Sequence, residues 1–366
     1  VQNPVEGAIF ETMPLIRPDQ EEFLEYEFMK LITKVEDPEL DVVGLITELE
    51  IDGGFDPMSG QATSPWVIME YVRQLYDVRR LASDVEDIDE DIDILMVVHP
   101  QDLSEQALYA IDQYVLRGGS TMVFLDPNAD SKIMRSQQGN LVPAGMSSDL
   151  PGLLEQWGVE YDSNAVLTDS ELALRVRMGQ GQRPSPHLGM LGVQRQYLNQ
   201  DDIITRGLET INMSTSGSIA PLADADASFE PIIESSTSAM MMSRGLVEDV
   251  MDPSVLFDEF ESANESYVIG ARVAGMFDTA FPDGRPVAAA PETDAAADEA
   301  QGDAADNADN PAQPEADEAV AETEPAVAES EPEQESGLPH VASSESMANI
   351  LVFADSDLLS DRLWVQ

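Results

Sequence analysis

Four polar side chains stand where apolar runs stop, and these are the residues of the sequence best placed to do chemistry. His99 follows Asp93-Ile94-Leu95-Met96-Val97-Val98, and Asp126 follows Thr121-Met122-Val123-Phe124-Leu125. Asp355 and Asp357 follow Asn349-Ile350-Leu351-Val352-Phe353-Ala354. Apolar runs of this length read as strands buried on both faces, as the strands of parallel sheets are. Ligands of open parallel sheets bind outside the carboxyl ends of the strands, so the four side chains are expected to converge there. A histidine beside carboxylates holds a divalent metal or works as an acid/base pair. Two readings use that chemistry, a metal-assisted hydrolase and a small-molecule receptor. A third needs no ligand, because Asp after a strand caps the helix that follows. Asp355 or Ser356, ahead of Leu358 and Leu359, is placed for that.

Other catalytic patterns are missing. The chain has no cysteine, which excludes thiol nucleophiles, disulfides, Cys-ligated zinc and iron–sulfur clusters. Its three histidines are His99, His187 and His340, none in HExxH or paired spacing. His187 and His340 fall in Pro/Gly-rich or linker-adjacent stretches that read as loops. No GxSxG or P-loop occurs, and Gly179-Gln180-Gly181 lacks the strand-turn-helix setting of a nucleotide fingerprint. Met240-Met241-Met242 reads as a core strand in preference to a soft contact surface. No cofactor is expected.

The elements that must position the four residues begin with a helix over 24–35, on the spacing of Leu24, Phe28, Leu31, Ile32 and Val35. Val42-Val43-Gly44-Leu45-Ile46-Thr47 reads as a buried strand. Ser64 and Pro65 read as cap and first residue of a helix with Val67, Ile68, Tyr71, Val72 and Leu75 on its apolar stripe. A short strand is expected over 77–82. The clearest unit runs from 93 to 125. There a strand leads to Ser104 as N-cap, with Leu103 stapled onto Leu108, then to a helix lined by Leu108, Ile111 and Val115. Gly118-Gly119 stops that helix before the next strand, giving a right-handed parallel β-α-β. A short helix with Leu153, Leu154 and Trp157 ends at Gly158. From 165 to 281 the pattern becomes strand-like, most clearly at 172–177 and 267–277.

Charge divides the chain differently. It has 71 acids against 18 bases, a net charge of −53. Residues 291–336 hold 16 acids, no Lys or Arg and no aromatic, the composition of a disordered linker. The remainder still carries 55 acids against all 18 bases. Such a surface excludes nucleic acid and an anionic membrane face. With Lys30, Lys34 and Lys132 the only lysines, it suits a protein kept soluble at high salt, a halophilic or marine adaptation. A partner with a basic face is the alternative. Since the apolar run at 349–354 cannot stand alone, it must return to the sheet built by the first 130 residues, making the acidic tract a loop within one domain.

The expected architecture is therefore α/β, a mostly parallel sheet flanked by helices. Its parts are an α/β core over 1–164, a β-rich elaboration over 165–287, a disordered acidic linker over 288–340, and a returning strand and helix over 341–366. No apolar run reaches the roughly 18–20 residues of a membrane span and no signal peptide is visible. The ends, Val1 and Gln366 after Leu363-Trp364-Val365, look cut from a longer protein.

Several strings occur together in order: Phe23-Leu24-Glu25-Tyr26, Trp66-Val67-Ile68, Arg73-Gln74-Leu75, and Ala110-Ile111-Asp112-Gln113-Tyr114-Val115-Leu116-Arg117-Gly118-Gly119. Trp157-Gly158-Val159, Leu172-Ala173-Leu174-Arg175-Val176, and the C-terminal stretch from Phe353-Ala354-Asp355-Ser356-Asp357 to Leu363-Trp364 follow. Together they resemble the GldG-type auxiliary component of ABC transport systems, the family first named for gliding motility, over nearly the whole chain except the acidic tract. The resemblance implies a non-enzymatic periplasmic, or more broadly extracytoplasmic, domain. It also implies an anchor to the inner membrane through flanking helices absent from this chain, and ABC permease and ATPase subunits as partners. The β-α-β core also resembles flavodoxin-like and glutamine-amidotransferase-like domains, but the amidotransferase nucleophile is a Cys and cannot carry over. The family supplies no catalytic residues, so His99, Asp126, Asp355 and Asp357 remain candidates for ligand binding only.

Overall fold

Alternation of side chains along the central strands decides what each face of the molecule must carry. In the computed structural model the strands of the central sheet and of the two sheets packed on it run, in chain order, β1 (Val42–Thr47), β2 (Asp77–Leu81), β3 (Ile94–Val98), β4 (Ser120–Phe124), β5 (Val159–Tyr161), β6 (Ala165–Asp169) and β7 (Ala173–Val176). They continue with β8 (Ser185–Gln194), β9 (Thr210–Ser214), β10 (Ile219–Pro221), β11 (Ser228–Glu234), β12 (Ala239–Ser243), β13 (Val268–Gly275) and β14 (Ala348–Phe353). The two longest helices among the described residues are α1 (Val67–Leu75) and α2 (Glu105–Leu116). The structure describes residues 40–56, 61–62, 64–131, 133–135, 141–143, 147–177, 183–248, 250, 252–286, 338–344 and 346–364. The helix expected over 24–35, the Gly179-Gln180-Gly181 string and the acidic tract lie outside them.

A nine-stranded sheet runs in the order β2-β1-β3-β4-β14-β13-β10-β5, with β11 also paired to β13. Pairings from β2 through β14 are parallel, and every pairing from β13 onward is antiparallel. The sheet is thus mixed rather than mostly parallel. Strand β14 sits at the change of direction. It is parallel to β4, with Ile350 opposite Thr121, and antiparallel to β13, with Phe353 opposite Gly270. The returning strand therefore joins the sheet of β1 and β3, where its apolar run placed it. Gly270 is required there, since a Cβ would lie 2.6 Å from the Phe353 ring.

One face of the sheet presents Val42, Ile46, Leu95, Val97, Val123, Ile350 and Val352 to α2, which buries Ile111, Val115 and Leu116 against them. The expected caps hold. The Ser104 side chain accepts from Ala107 N at 3.0 Å, and Gly118 takes φ +88°. The opposite face presents Val43, Leu45, Met96, Val98, Phe124 and Phe353. Two smaller sheets, β6-β12 and β7-β8-β9, supply most of its cover through Leu167, Leu191, Val193 and Met213, with Met69 of α1. This second face departs from the expectation of flanking helices, because strands cover it.

Two local expectations need correction. Helix α1 starts after Trp66, without a side-chain cap from its own N-terminus; the carboxylate of Asp361 accepts from Val67 N at 2.9 Å instead. Its buried residue is Met69, whereas Tyr71 of the expected stripe is 56% exposed. His187 lies within β8 rather than in a loop. Of residues 287–339 only the last two are described.

Candidate functional site

The ends of three adjacent strands, β3, β4 and β14, bring the four candidate residues to one edge. His99 continues β3, and its N–H bonds Phe124 O at 2.8 Å. Asp126 lies two residues beyond β4, and Asp355 and Asp357 lie just beyond β14. All four are fully buried. His99 holds φ +48°, a left-handed backbone that costs a non-glycine residue free energy and is found where the surroundings enforce it.

Each carboxylate is held by backbone N–H groups and hydroxyls from loops distant in sequence. Asp126 Oδ1 accepts from Asn128 N at 2.8 Å, and Oδ2 accepts from Ser356 N at 2.9 Å and Ser356 Oγ at 2.8 Å. Asp355 Oδ1 accepts from Leu358 N at 2.7 Å, which is the capping geometry. Its Oδ2 accepts from Ser214 N at 3.0 Å and Ser216 Oγ at 2.6 Å. Asp357 accepts from Asp130 N at 2.8 Å and Ser131 N at 2.9 Å, with the Arg362 guanidinium 3.8 Å away. Arg362 also bonds Asp130 at 3.1 Å, and Ser214 Oγ donates to Asp130 Oδ2 at 2.6 Å.

The segment between β9 and β10 is the joint between the smaller sheets and the main one. Thr215 takes φ +50°, severe for a β-branched residue, and its Oγ1 donates to Asn128 O at 2.6 Å. Gly217 follows, and its N–H bonds Ala354 O at 2.7 Å. A Cβ there would stand 3.0 Å from the Tyr161 ring and 3.4 Å from Ala354 Cβ. Sequence reasoning missed Asn128, Asp130, Ser214, Thr215, Ser216 and Arg362. The one local signal was the run Ser214-Thr215-Ser216-Gly217, small hydroxyl side chains ahead of a glycine that permits close approach.

Desolvation governs the electrostatics. Burial pushes the Asp126 carboxyl well above the usual range, the charges of Asp357 and Asp355 push it further, and N–H bonds from Ser356 and Asn128 oppose the rise. Asp355 is raised to about 8 by burial and then by Asp357, against bonds from Ser216, Leu358 and Ser214. Asp357 is raised to about 6 by burial and then by Asp130, with Arg362 opposing. Burial also raises the Tyr161 phenol, and Asp126 adds to it. The cluster therefore retains protons that isolated carboxylates lose. Among the described residues no three His, Asp or Glu side chains are grouped so as to hold a metal ion. Chemically, the arrangement binds backbone at the joint of two layers.

A family model described as ABC-type uncharacterized transport system matches residues 41–366. No curated protein matches the chain.

Proposed function

Because the chain belongs to the family of ABC-type uncharacterized transport systems, as a GldG-type auxiliary component, we propose that it serves as a non-enzymatic auxiliary subunit acting outside the cytoplasm. In this reading it stands beside the permease and ATPase of one system, tethered by membrane helices that lie beyond this chain. Among the described residues no helix is long and apolar enough to cross a membrane. The excess of acid suits an extracytoplasmic surface bathed in salt.

The observation that carries the non-enzymatic reading is the state of the strand-end carboxylates. A catalytic or ligand-binding carboxylate needs a lone pair facing its substrate. Asp126, Asp355 and Asp357 are fully buried and spend their oxygens on N–H groups and hydroxyls, some of their own loops and most of loops distant in sequence. They act as caps and clasps that tie β4, β14 and the loop after β9 together. A receptor or hydrolase using this edge would first have to break those bonds.

With no cysteine in this chain, and any cysteine elsewhere in the full-length protein replaced by serine, sidedness is directly testable. Glu259→Cys, at an exposed position, is introduced into the full-length protein and treated with a membrane-impermeant maleimide on intact spheroplasts. Labelling before lysis is the expected result. Labelling only after lysis would place the domain in the cytoplasm and overturn the proposal.

A further inference from the structure

Away from the carboxylate edge, a groove of about 600 Å³ opens between the end of the short helix Leu153–Gln156, the loop after β10 and the chain leaving β13. We propose that this groove is a docking site for a short basic peptide segment, rich in arginine or lysine, of a partner protein.

Three features of the groove select such an occupant. Its rim carries Glu155, Asp224, Asp226 and Asp278 and no basic residue. Asp224, Asp226 and Asp278 are exposed, and among the described residues their side chains make no hydrogen bond or ion pair. Arg73, Arg272, Arg285 and Arg362 are committed elsewhere, to Asp52, Asp202, Asp87 and Asp130. Apolar side chains, Trp157, Leu222 and Phe277 among them, contribute to its floor. Phe277 is buried beneath it, while Met276 leaves 57% of its surface in the open. Arginine and lysine combine an aliphatic stem with a charged head, so one side chain covers Met276 while its head reaches an unpaired aspartate. A volume of this size lies in the range of ligand pockets and accepts a few residues of extended chain.

The walls are already set. Leu222 N bonds Gly158 O at 2.9 Å and Ala225 N bonds Leu222 O at 3.1 Å. Gly158, at φ +75°, allows this approach, since a Cβ would stand 2.5 Å from Ala225 Cβ. The far wall is pinned where Phe277 N donates to Ser344 Oγ at 2.8 Å. A preformed groove spares the occupant part of the ordering cost.

This inference rests on the auxiliary-subunit reading only for which protein bears the peptide; the groove is tested on the chain alone. The probe is a short capped, fluorescein-labelled peptide alternating arginine and leucine, followed by anisotropy at physiological salt, with its glutamate counterpart as reference. The variant Asp224→Asn/Asp226→Asn/Asp278→Asn is compared with Asp258→Asn/Glu259→Gln/Glu261→Gln, which removes the same charge from an exposed loop elsewhere. The expected result is binding of the arginine peptide alone, weakened about tenfold by the groove variant and unchanged within about twofold by the control. Met276→Ser is expected to weaken binding as well, by removing the apolar contact without changing the charge. Equal losses in both triple variants would reduce the effect to bulk charge and overturn the proposal, as would absence of binding to the unsubstituted chain. Displacement of the peptide by spermidine at equal concentration would replace a peptide site by a polyamine site and overturn it equally. Failure here leaves the sidedness result untouched, and the converse holds.

Discussion

Asp355 concentrates the physical tension of the molecule in one side chain. Its carboxyl is fully buried, raised to about 8 by burial and by the charge of Asp357, yet clasped by three donors. A carboxyl with a folded-state pKa above its unfolded value keeps a proton that the unfolded chain has released. Folding then takes up protons between about pH 4 and pH 8, and stability falls as pH rises through that window. While one such difference persists, the slope is about 1.4 kcal/mol per pH unit. Urea unfolding should show lower stability at pH 8.5 than at pH 5.5, and Asp355→Asn should flatten the decline. A stability that is level or rises over this range would contradict the protonation proposed for the cluster. Asp357 and Asp126 are the charged groups that act on Asp355, and Asp130 and Arg362 act in turn on Asp357. Sequence alone placed the aspartates at strand ends and offered capping as one of their roles. It did not show their donors, since Ser214 and Ser216 lie 141 and 139 residues from Asp355.

At the scale of elements, legibility followed burial. Strands covered on both faces, β1, β3 and β14, declare themselves as unbroken apolar runs, and the β-α-β with Ser104 and Gly118 carries its own punctuation. What lay beyond reach was the identity of the cover on the second face. Strand β6 is only five residues long, and β8 and β9 contain Gly or Ser, so their period is weak. Helix α1 shows the same failure in miniature. Its sequence offers Val67, Ile68, Tyr71, Val72 and Leu75 as an apolar stripe, but tertiary packing turns Met69 inward, to 0% exposure, and leaves Tyr71 in solvent. Met69→Ala should therefore cost about 2–5 kcal/mol, while Tyr71→Ala should stay within about 0.5 kcal/mol. Urea denaturation of the two variants distinguishes the faces, and a reversed order would mean that α1 is rotated relative to this packing.

At the scale of the whole molecule, charge and chain closure make separate predictions. A net charge of −53 repels itself at low ionic strength, and salt screens it. The melting temperature should rise between low and molar sodium chloride; a flat or falling curve would remove the salt-adaptation proposal. The stems that lead to and from residues 287–339 are fastened independently of that segment. Arg285 pairs with Asp87 and lies over the Tyr109 ring, Val341 N donates to Gln113 Oε1 at 2.6 Å, and Thr279 N bonds Ala342 O at 2.9 Å. Replacing 288–337 with a short Gly/Ser link should leave stability within about 1 kcal/mol, because closing a shorter loop changes little. A collapse in melting temperature would show that the acidic segment contributes to the packed body.

The central claim is that this chain works as an auxiliary subunit of an ABC transport system, and its assembly state tests that most directly. The full-length protein, affinity-tagged at its genomic locus, is purified from detergent-solubilised membranes and its stoichiometric companions are identified by mass spectrometry. The account predicts an ABC permease and its ATPase in fixed ratio with the tagged chain. Purification of the chain alone, or with companions that include neither subunit, would contradict it.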